Sequence, residues 1–116
     1  MTGAGTGAPG DLDRVQFAIE RLLDAPDGWR ALVRDMVGRW PEAPAGALIL
    51  AIVTASAEIE AMFGPGSPAR DGAERGWRLA GLLGVDLHVM ATVGMAHGRA
   101  GDLADYWRID PYFRDL

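Results

Sequence analysis

The sequence predicts an all-α protein, a compact bundle of about five or six helices with no sheet. Apolar residues recur at steps of three and four in every segment between Asp11 and Trp107, which is the spacing of one helical face. Proline and glycine fall where such helices would end. No segment alternates polar and apolar residues as a half-buried strand does. We therefore expect more than half of the residues to be helical.

The composition is that of an ordinary globular domain. Of the 116 residues, 49% are hydrophobic and 23% are charged, which favours one folded domain over a disordered chain. We expect residues 1–10 to form a flexible tail and residues 11–116 to form a single helical domain. The tail has neither the basic region nor the apolar core of a signal peptide, so the expected location is the cytoplasm.

The charged residues argue against nucleic acid and anionic lipid as partners. The net charge is −5, and the 11 basic residues, all arginine, form no basic run. Cysteine is absent, which removes disulfides, thiolate nucleophiles and thiolate metal sites. The use of arginine without lysine, together with abundant alanine and glycine, indicates a GC-rich and hence bacterial genome.

Three helices are predicted within the first half of the chain. The first spans Asp11 to Ala25 and ends at a proline, and the second spans Asp27 to Trp40 with Asp27 as its cap. The third spans Pro44 to Phe63 and ends at Gly64. It is apolar on most sides over its first half, so we expect it to lie in the core.

The stretch from Asp71 to Gly98 is the longest apolar part of the chain, and the sequence allows two forms of it. Asp71 can cap its start while Glu74 reaches back, as in a capping box. In the first form one unbroken helix follows. In the second form Gly84 ends one helix and Asp86 caps the next. We favour the second form, because glycine is favourable at the end of a helix and aspartate is favourable as the cap of the next one.

Divided at Gly84, the sequence RLAGLLGVDLHVMATV resembles the helix-turn-helix DNA-binding motif. The residues at matching positions are Ala80, Gly84, Val85, Met90 and Val93. In that family the second helix presents polar or basic side chains to base edges. Here the second helix would present Leu87, His88, Ala91, Thr92 and Met95. A DNA-binding regulator is therefore kept as an alternative that lacks the required surface, and no nucleic-acid partner is expected.

Two segments are apolar enough to raise the question of a membrane-spanning helix. Leu79–Gly98 just reaches the roughly 20 residues that a spanning helix needs. However, Asp86 near its centre would cost about 2.5 to 3.5 kcal/mol on insertion. The uncharged run Ala45–Ala57 is too short to span a bilayer. We therefore expect a soluble protein without a membrane partner.

Four ionisable residues are candidates for a ligand pocket or for catalysis: Glu58, Asp86, His88 and His97. The two histidines do not have the spacing that places ligands together on a helix, so no metal site is predicted. Glu58 and Glu60 point to different sides of a regular helix, which makes them a poor acid and base pair. We expect no catalytic residue and no cofactor, and keep a ligand-binding or enzymatic bundle as a second alternative.

The last residues are rich in aromatic side chains. Asp102 can cap a short helix, and Asp110 with Pro111 can start one last turn. The aromatic residues either close one end of the bundle or form a docking tail, since tyrosine and tryptophan are frequent in interfaces. The candidate interface residues are Leu82, Val89, Val93, Tyr106, Trp107, Tyr112 and Phe113.

The favoured function is a small soluble helical interaction or assembly module without catalytic activity. The segment Ala80–Gly98 carries more apolar surface than the flanking helices of so short a chain can cover. Two-fold homodimers are the commonest oligomers. We therefore expect a homodimer or a complex with another protein.

Overall fold

The computed structural model describes residues 10–116, of which 68% are helical. The six helices are α1 (Asp11–Asp24), α2 (Leu32–Arg39), α3 (Ala45–Met62), α4 (Ala69–Thr92), α5 (Asp102–Tyr106) and α6 (Tyr112–Asp115). Residues 10–116 contain no strand, only an isolated antiparallel bridge between Pro44 and Arg99. The predicted all-α bundle is therefore confirmed. Residues 1–9 of the expected tail lie outside the described residues.

The two long helices α3 and α4 form an antiparallel pair at the centre of the fold. They are joined by a tight loop in which Gly66 takes a left-handed conformation, with φ of 90°. At the loop end of the pair, the indole of Trp77 donates to the Glu60 carboxylate at 3.1 Å. At the far end, Ile49 lies against Gly84. The pair supplies about half of the core, which also takes apolar side chains from the other four helices.

Helix α1 packs across this pair where α4 carries two glycines one turn apart. A Cβ on Gly72 would lie 2.5 Å from the carbonyl oxygen of Leu22, and a Cβ on Gly76 would overlap the hydroxyl of Ser56. Glycine therefore permits the backbones of three helices to approach closely. Ser56 is fully buried and donates to the carbonyl oxygen of Ile52 at 2.9 Å.

The second helix is shorter than its apolar pattern predicted. Asp27 does not cap it, because residues 26–31 form successive turns and α2 begins at Leu32. The turns pack tightly on α1: the Gly28 amide donates to the carbonyl oxygen of Ala25 at 3.1 Å. A Cβ on Gly28 would overlap the carbonyl oxygen of Arg21. This contact fixes the turns against α1 and delays the start of the helix.

The start of α4 and its course through Gly84 both differ from the favoured prediction. Asp71 is not the cap, since the helix begins after Pro68 and the Ala69 amide donates to the Ser67 hydroxyl at 3.3 Å. The helix then continues unbroken through Gly84, which rules out the turn of a helix-turn-helix motif. Burial of one face along the whole helix keeps it continuous, so the first of the two forms is correct.

Helix α4 also ends earlier than the predicted Gly98. Gly94 takes a left-handed conformation with φ of 81°, and the Met95 amide donates to the carbonyl oxygen of Met90 at 2.9 Å. These two features form a Schellman-type stop. The following segment returns to the start of α3, where the Ala100 amide donates to the carbonyl oxygen of Ala43 at 2.8 Å.

The C-terminal segment closes one end of the bundle. Both predicted short helices are present, but Asp102 is not the cap: it is the first residue of α5, and its carboxylate accepts from the preceding Arg99 amide at 3.0 Å. The Asp110 carboxylate accepts from the Tyr112 amide at 3.2 Å, at the start of the last turn as predicted. Helix α6 packs against α2, with the Arg34 guanidinium donating to the carbonyl oxygen of Arg114 at 2.8 Å.

By length and composition, one helix within residues 10–116 could cross a membrane, and it is α3. The stretch Leu79–Gly98, which raised that question from the sequence, does not pass the same test. Core helices of soluble proteins also pass it, and α3 packs against both α1 and α4. Helices α1 and α4 therefore cover only part of α3, and its other apolar faces remain available for a further contact.

Candidate functional site

The four ionisable candidates do not form one site. Glu58 is exposed near the C-terminal end of α3, whereas His88 is exposed on the C-terminal half of α4. His97 is exposed after α4, with its Nδ1 atom 3.0 Å from the carbonyl oxygen of Met95. Within residues 10–116 there is no group of three His, Asp or Glu residues able to hold a metal. Among the four, Asp86 alone is partly buried.

Asp86 lies in an acidic corner, which we define as Asp86, Tyr106 and Asp110. Burial, and to a smaller extent repulsion from Asp110, together raise the pKa of Asp86 to about 6. The pKa of Tyr106 is also raised, first by burial, then by Asp86 and Asp110. Asp86 therefore lies among apolar residues of an unbroken helix, and this burial is the main cause of its raised pKa. Its proximity to Asp110 depends on the chain returning after α5, which no local pattern reveals.

Next to Asp86, four apolar residues form a line on the outer side of α4, which we call the α4 stripe. They are Leu82, Val85, Val89 and Val93. Their spacing of three and four residues places them on one helical face. Val85 is 59% exposed and Val93 is 61% exposed, while Leu82 and Val89 are half-buried against the core. Three of the four were predicted as interface residues, and Val85 was missed.

The predicted aromatic docking tail is mostly core. Tyr106, Trp107 and Phe113 are buried, with the Trp107 and Phe113 ring centroids 6.3 Å apart. These three side chains fill the end of the bundle, because the short helices α5 and α6 have few other residues to bury there. Within this group Tyr112 remains at the surface, where its ring packs edge-on against Phe113 at 5.2 Å. The structure therefore places these three residues in the core at one end of the bundle, where they are not exposed for docking, and leaves Tyr112 as the exposed residue among the four.

A second apolar surface lies between α1 and α3 and was not predicted. We call it the α1/α3 groove, a depression of about 210 Å³ lined by Asp11, Leu12, Val15, Ala47, Leu50, Ala51 and Thr54. Leu12 is 76% exposed and Leu50 is 55% exposed. The sequence contained one signal for this surface, namely Leu50 on a face of α3 other than its regular apolar line.

A wider cleft of about 550 Å³ lies where the C-terminal end of α1 meets the start of α4. Trp29 forms part of its wall, and the guanidinium carbons of Arg30 and Arg75 lie 4.7 and 4.8 Å from its ring centroid. Both cations are thereby engaged with the tryptophan. None of the four ionisable candidates lines this cleft or the α1/α3 groove.

Comparison with known proteins assigns no function to these surfaces. No family model, curated protein or solved structure matches the chain. The surfaces themselves must therefore indicate the function, and those with the most exposed apolar residues are the α4 stripe and the α1/α3 groove.

Proposed function

We propose that the protein is a small non-catalytic assembly module that forms a two-fold homodimer through the α4 stripe. The observation that supports this proposal most is the exposure of Val85 and Val93 on a straight, well-packed helix. Folded monomers seldom leave a contiguous apolar patch of more than a few hundred Å² in water. A second copy covers such a patch without any further partner, and two-fold pairs are the commonest oligomers.

The order of the residues in the stripe suits an antiparallel pair of α4 helices. The positions 82, 85, 89 and 93 have nearly the same spacing from either end. Antiparallel pairing across a two-fold axis therefore places Leu82 opposite Val93 of the other copy, and Val85 opposite Val89 of the other copy. Apolar side chains then meet apolar side chains along about three turns of each helix.

Most residues beside the stripe are compatible with close approach of two copies. Gly81 and Thr92 are exposed next to it and are small. His88 is the ionisable residue on this outer face between them. The carboxylate nearest the stripe is that of Asp86, which borders it between Leu82 and Val89, so the Asp86 groups of two copies would flank the contact near its two-fold axis and would oppose association when both are charged. Asp86 stands at the edge, on the side of the acidic corner.

A catalytic role is left out of the proposal because of where the ionisable residues lie. Glu58 is level with Trp77 in the antiparallel pair, about 11 residues along α4 from His88, or roughly 16 Å at the rise of an α-helix. General acid and base groups must both reach one substrate. These side chains do not meet that condition.

Light scattering after gel filtration tests the proposal. At tens of micromolar, the unmodified protein should have the mass of two chains. The double variant Val89→Arg with Val93→Arg should have the mass of one chain and keep its helical circular dichroism. The matched control is Leu12→Arg, which places the same charge on an exposed leucine of α1 and should stay dimeric. A monomeric unmodified protein would contradict the proposal.

A further inference from the structure

The starting point is that α3 is only partly covered by the rest of the fold. Seven of its 18 residues are buried, although its mean hydropathy is 1.6 and its charged residues are confined to its last turns. The fold measures 42 × 37 × 21 Å. Its thinnest dimension corresponds to about two layers of helices. In a two-layer arrangement, a helix that is apolar all round keeps one open side.

The open side of α3 is apolar and smooth. Its half-buried and exposed residues, at helical spacing, are Ala47, Leu50, Thr54, Ala57 and Ala61. Leu50 projects from this side, and the other four are small. A surface of small residues lets a neighbouring helix approach closely, and one projecting leucine gives it an anchor.

Helix α1 forms the second wall of the groove. Leu12 and Val15 line it, and Ile19 continues the same helical face one turn beyond Val15. Leu12 is exposed, while Val15 and Ile19 are half-buried. The groove therefore has an apolar line on each wall, which is the form that receives one face of an amphipathic helix.

The charges around the groove indicate what kind of helix it receives. Asp13, Glu20 and Asp24 are exposed on α1, and Glu58 is exposed on α3. Helix α3 has no basic residue. Of these four acidic residues, Glu58 continues the line of Ala51 and Thr54 one turn beyond the groove. Glu20 lies next to Ile19 on the outer rim of α1, so the exposed charges nearest the groove are negative. A second copy of this protein would bring the same negative charges to the contact, and like charges oppose association.

The two basic residues of α1 do not offset this charge. Arg14 is buried and pairs with Asp11, while Arg21 pairs with Asp35 on the side that faces α2. Cations supplied by another molecule would therefore find unlike charges at Glu20 and Glu58, beyond the apolar lining of the groove. Charge complementarity of this kind steers encounter and selects the partner.

We propose that the α1/α3 groove binds an amphipathic helix of a partner protein, with apolar residues on one face and Lys or Arg along its flanks. The apolar face covers Leu12 and Leu50, and the flanking cations meet Glu20 and Glu58. This binding uses helices other than the α4 stripe. It therefore holds whether or not the protein forms the proposed homodimer.

Three synthetic peptides test the proposal by fluorescence anisotropy with the full chain. The first has leucines at helical spacing and lysines elsewhere. The second keeps the leucines and replaces lysine by glutamate, and the third has the composition of the first in scrambled order. The first should bind, with an affinity that falls as salt is added. The second and third should bind at least roughly tenfold more weakly, which corresponds to about 1.4 kcal/mol.

Variants of the protein locate the binding site. Leu50→Ala, an exposed truncation that leaves the fold intact, should weaken the first peptide roughly tenfold, as expected for an anchor in an interface. Glu58→Lys should weaken the first peptide and strengthen the second. The control is Val93→Arg on the α4 stripe, which should leave peptide affinity unchanged.

Three results would overturn the proposal. Equal binding of the first and the scrambled peptides would show that non-specific charge attraction alone holds the peptide. A change of the dimer to a monomer in Leu50→Arg, without any peptide binding by the unmodified protein, would make the groove a contact between copies. Binding of uncharged phosphatidylcholine vesicles that is lost in Leu50→Arg would make it a membrane-facing surface.

Discussion

The hydroxyl of Ser56 occupies the space that a side chain on Gly76 would need. This relationship brings α3 and α4 closer than ordinary side chains allow, and it also admits the end of the Leu22 side chain, whose Cδ1 lies 3.0 Å from the same position. Three helices therefore meet at one point without a cavity or a clash. The close packing of the bundle depends on this point.

Gly76→Ala should destabilise the protein by about 1 to 3 kcal/mol, because overpacking a filled core forces side chains or backbone to shift. The control is Gly81→Ala in the same helix, where no atom lies within 4 Å of the added carbon. This change should stabilise by up to about 1 kcal/mol, since alanine favours helix over glycine. Urea unfolding of both variants measures the difference, and equal effects would show that Gly76 has no special role.

Ser56→Ala should rescue much of the loss caused by Gly76→Ala. Removing the hydroxyl leaves the Ser56 Cβ at 3.4 Å from the carbon added at Gly76, which is close to ordinary contact. The Ser56 hydroxyl bonds only to the Ile52 carbonyl of its own helix, so Ser56→Ala alone should change stability little. A double-mutant cycle by urea unfolding should give a coupling above about 0.5 kcal/mol. Additive effects would contradict the proposed steric contact.

Asp86 should make the folded state less stable as pH rises from about 4 to about 6. Its pKa in the fold, about 6, exceeds the ordinary value of 3.8, so the folded state binds the proton more tightly than the unfolded chain. The stability present below pH 4 is therefore lost by pH 6 and stays lost above it. Since Asp86 is partly solvated, solvent screening reduces the effect to about 1 kcal/mol.

The variant Asp86→Asn isolates this contribution from the other carboxylates. It should be more stable than the unmodified protein by about 1 kcal/mol at pH 7 and show no difference near pH 4. Urea unfolding at both pH values, at low protein concentration, gives the two differences. A variant that is less stable at pH 7 would show that the Asp86 carboxylate has a stabilising partner.

The ion pair of Arg14 and Asp11 should behave asymmetrically on mutation. Arg14 is buried, and its Nε atom has no hydrogen-bond partner within residues 10–116, whereas Asp11 reaches the surface. Asp11→Ala leaves a buried guanidinium uncompensated and should destabilise by about 3 kcal/mol. Arg14→Met replaces the charge by an apolar chain of similar length and should cost less than Asp11→Ala. Thermal unfolding ranks the two, and the reverse order would contradict this account.

The sequence predicted the helices correctly where the interaction that ends a helix is local. Pro26, Pro41 and Gly64 end helices at or near the predicted places because breakers act through the backbone itself. Gly84 failed as a breaker, since burial of one face of α4 outweighs a glycine's modest helix preference. Helix α4 stops just before Gly94 instead. The neighbouring residues in the sequence do not reveal which glycine adopts the left-handed conformation that ends a helix.

The surfaces were predicted less completely, because they depend on which helices meet. The stripe of Leu82, Val89 and Val93 followed from helical spacing. The groove of Leu12 and Leu50 required knowledge that α1 leaves one side of α3 open. The approach of Asp110 to Asp86 likewise arises only when the chain after α4 returns to the bundle.

The absence of native cysteine permits a direct measurement of the proposed dimer. In an antiparallel pair of α4 helices, residue 89 of each copy lies close to the two-fold axis, so Val89→Cys should be joined rapidly by a short bifunctional thiol crosslinker. Leu50→Cys is the control: residue 50 is 55% exposed, whereas residue 89 is half-buried, so random collisions would favour it. Faster crosslinking of the Val89→Cys variant is the predicted result. Equal or faster crosslinking of the Leu50→Cys variant would contradict assembly through the α4 stripe.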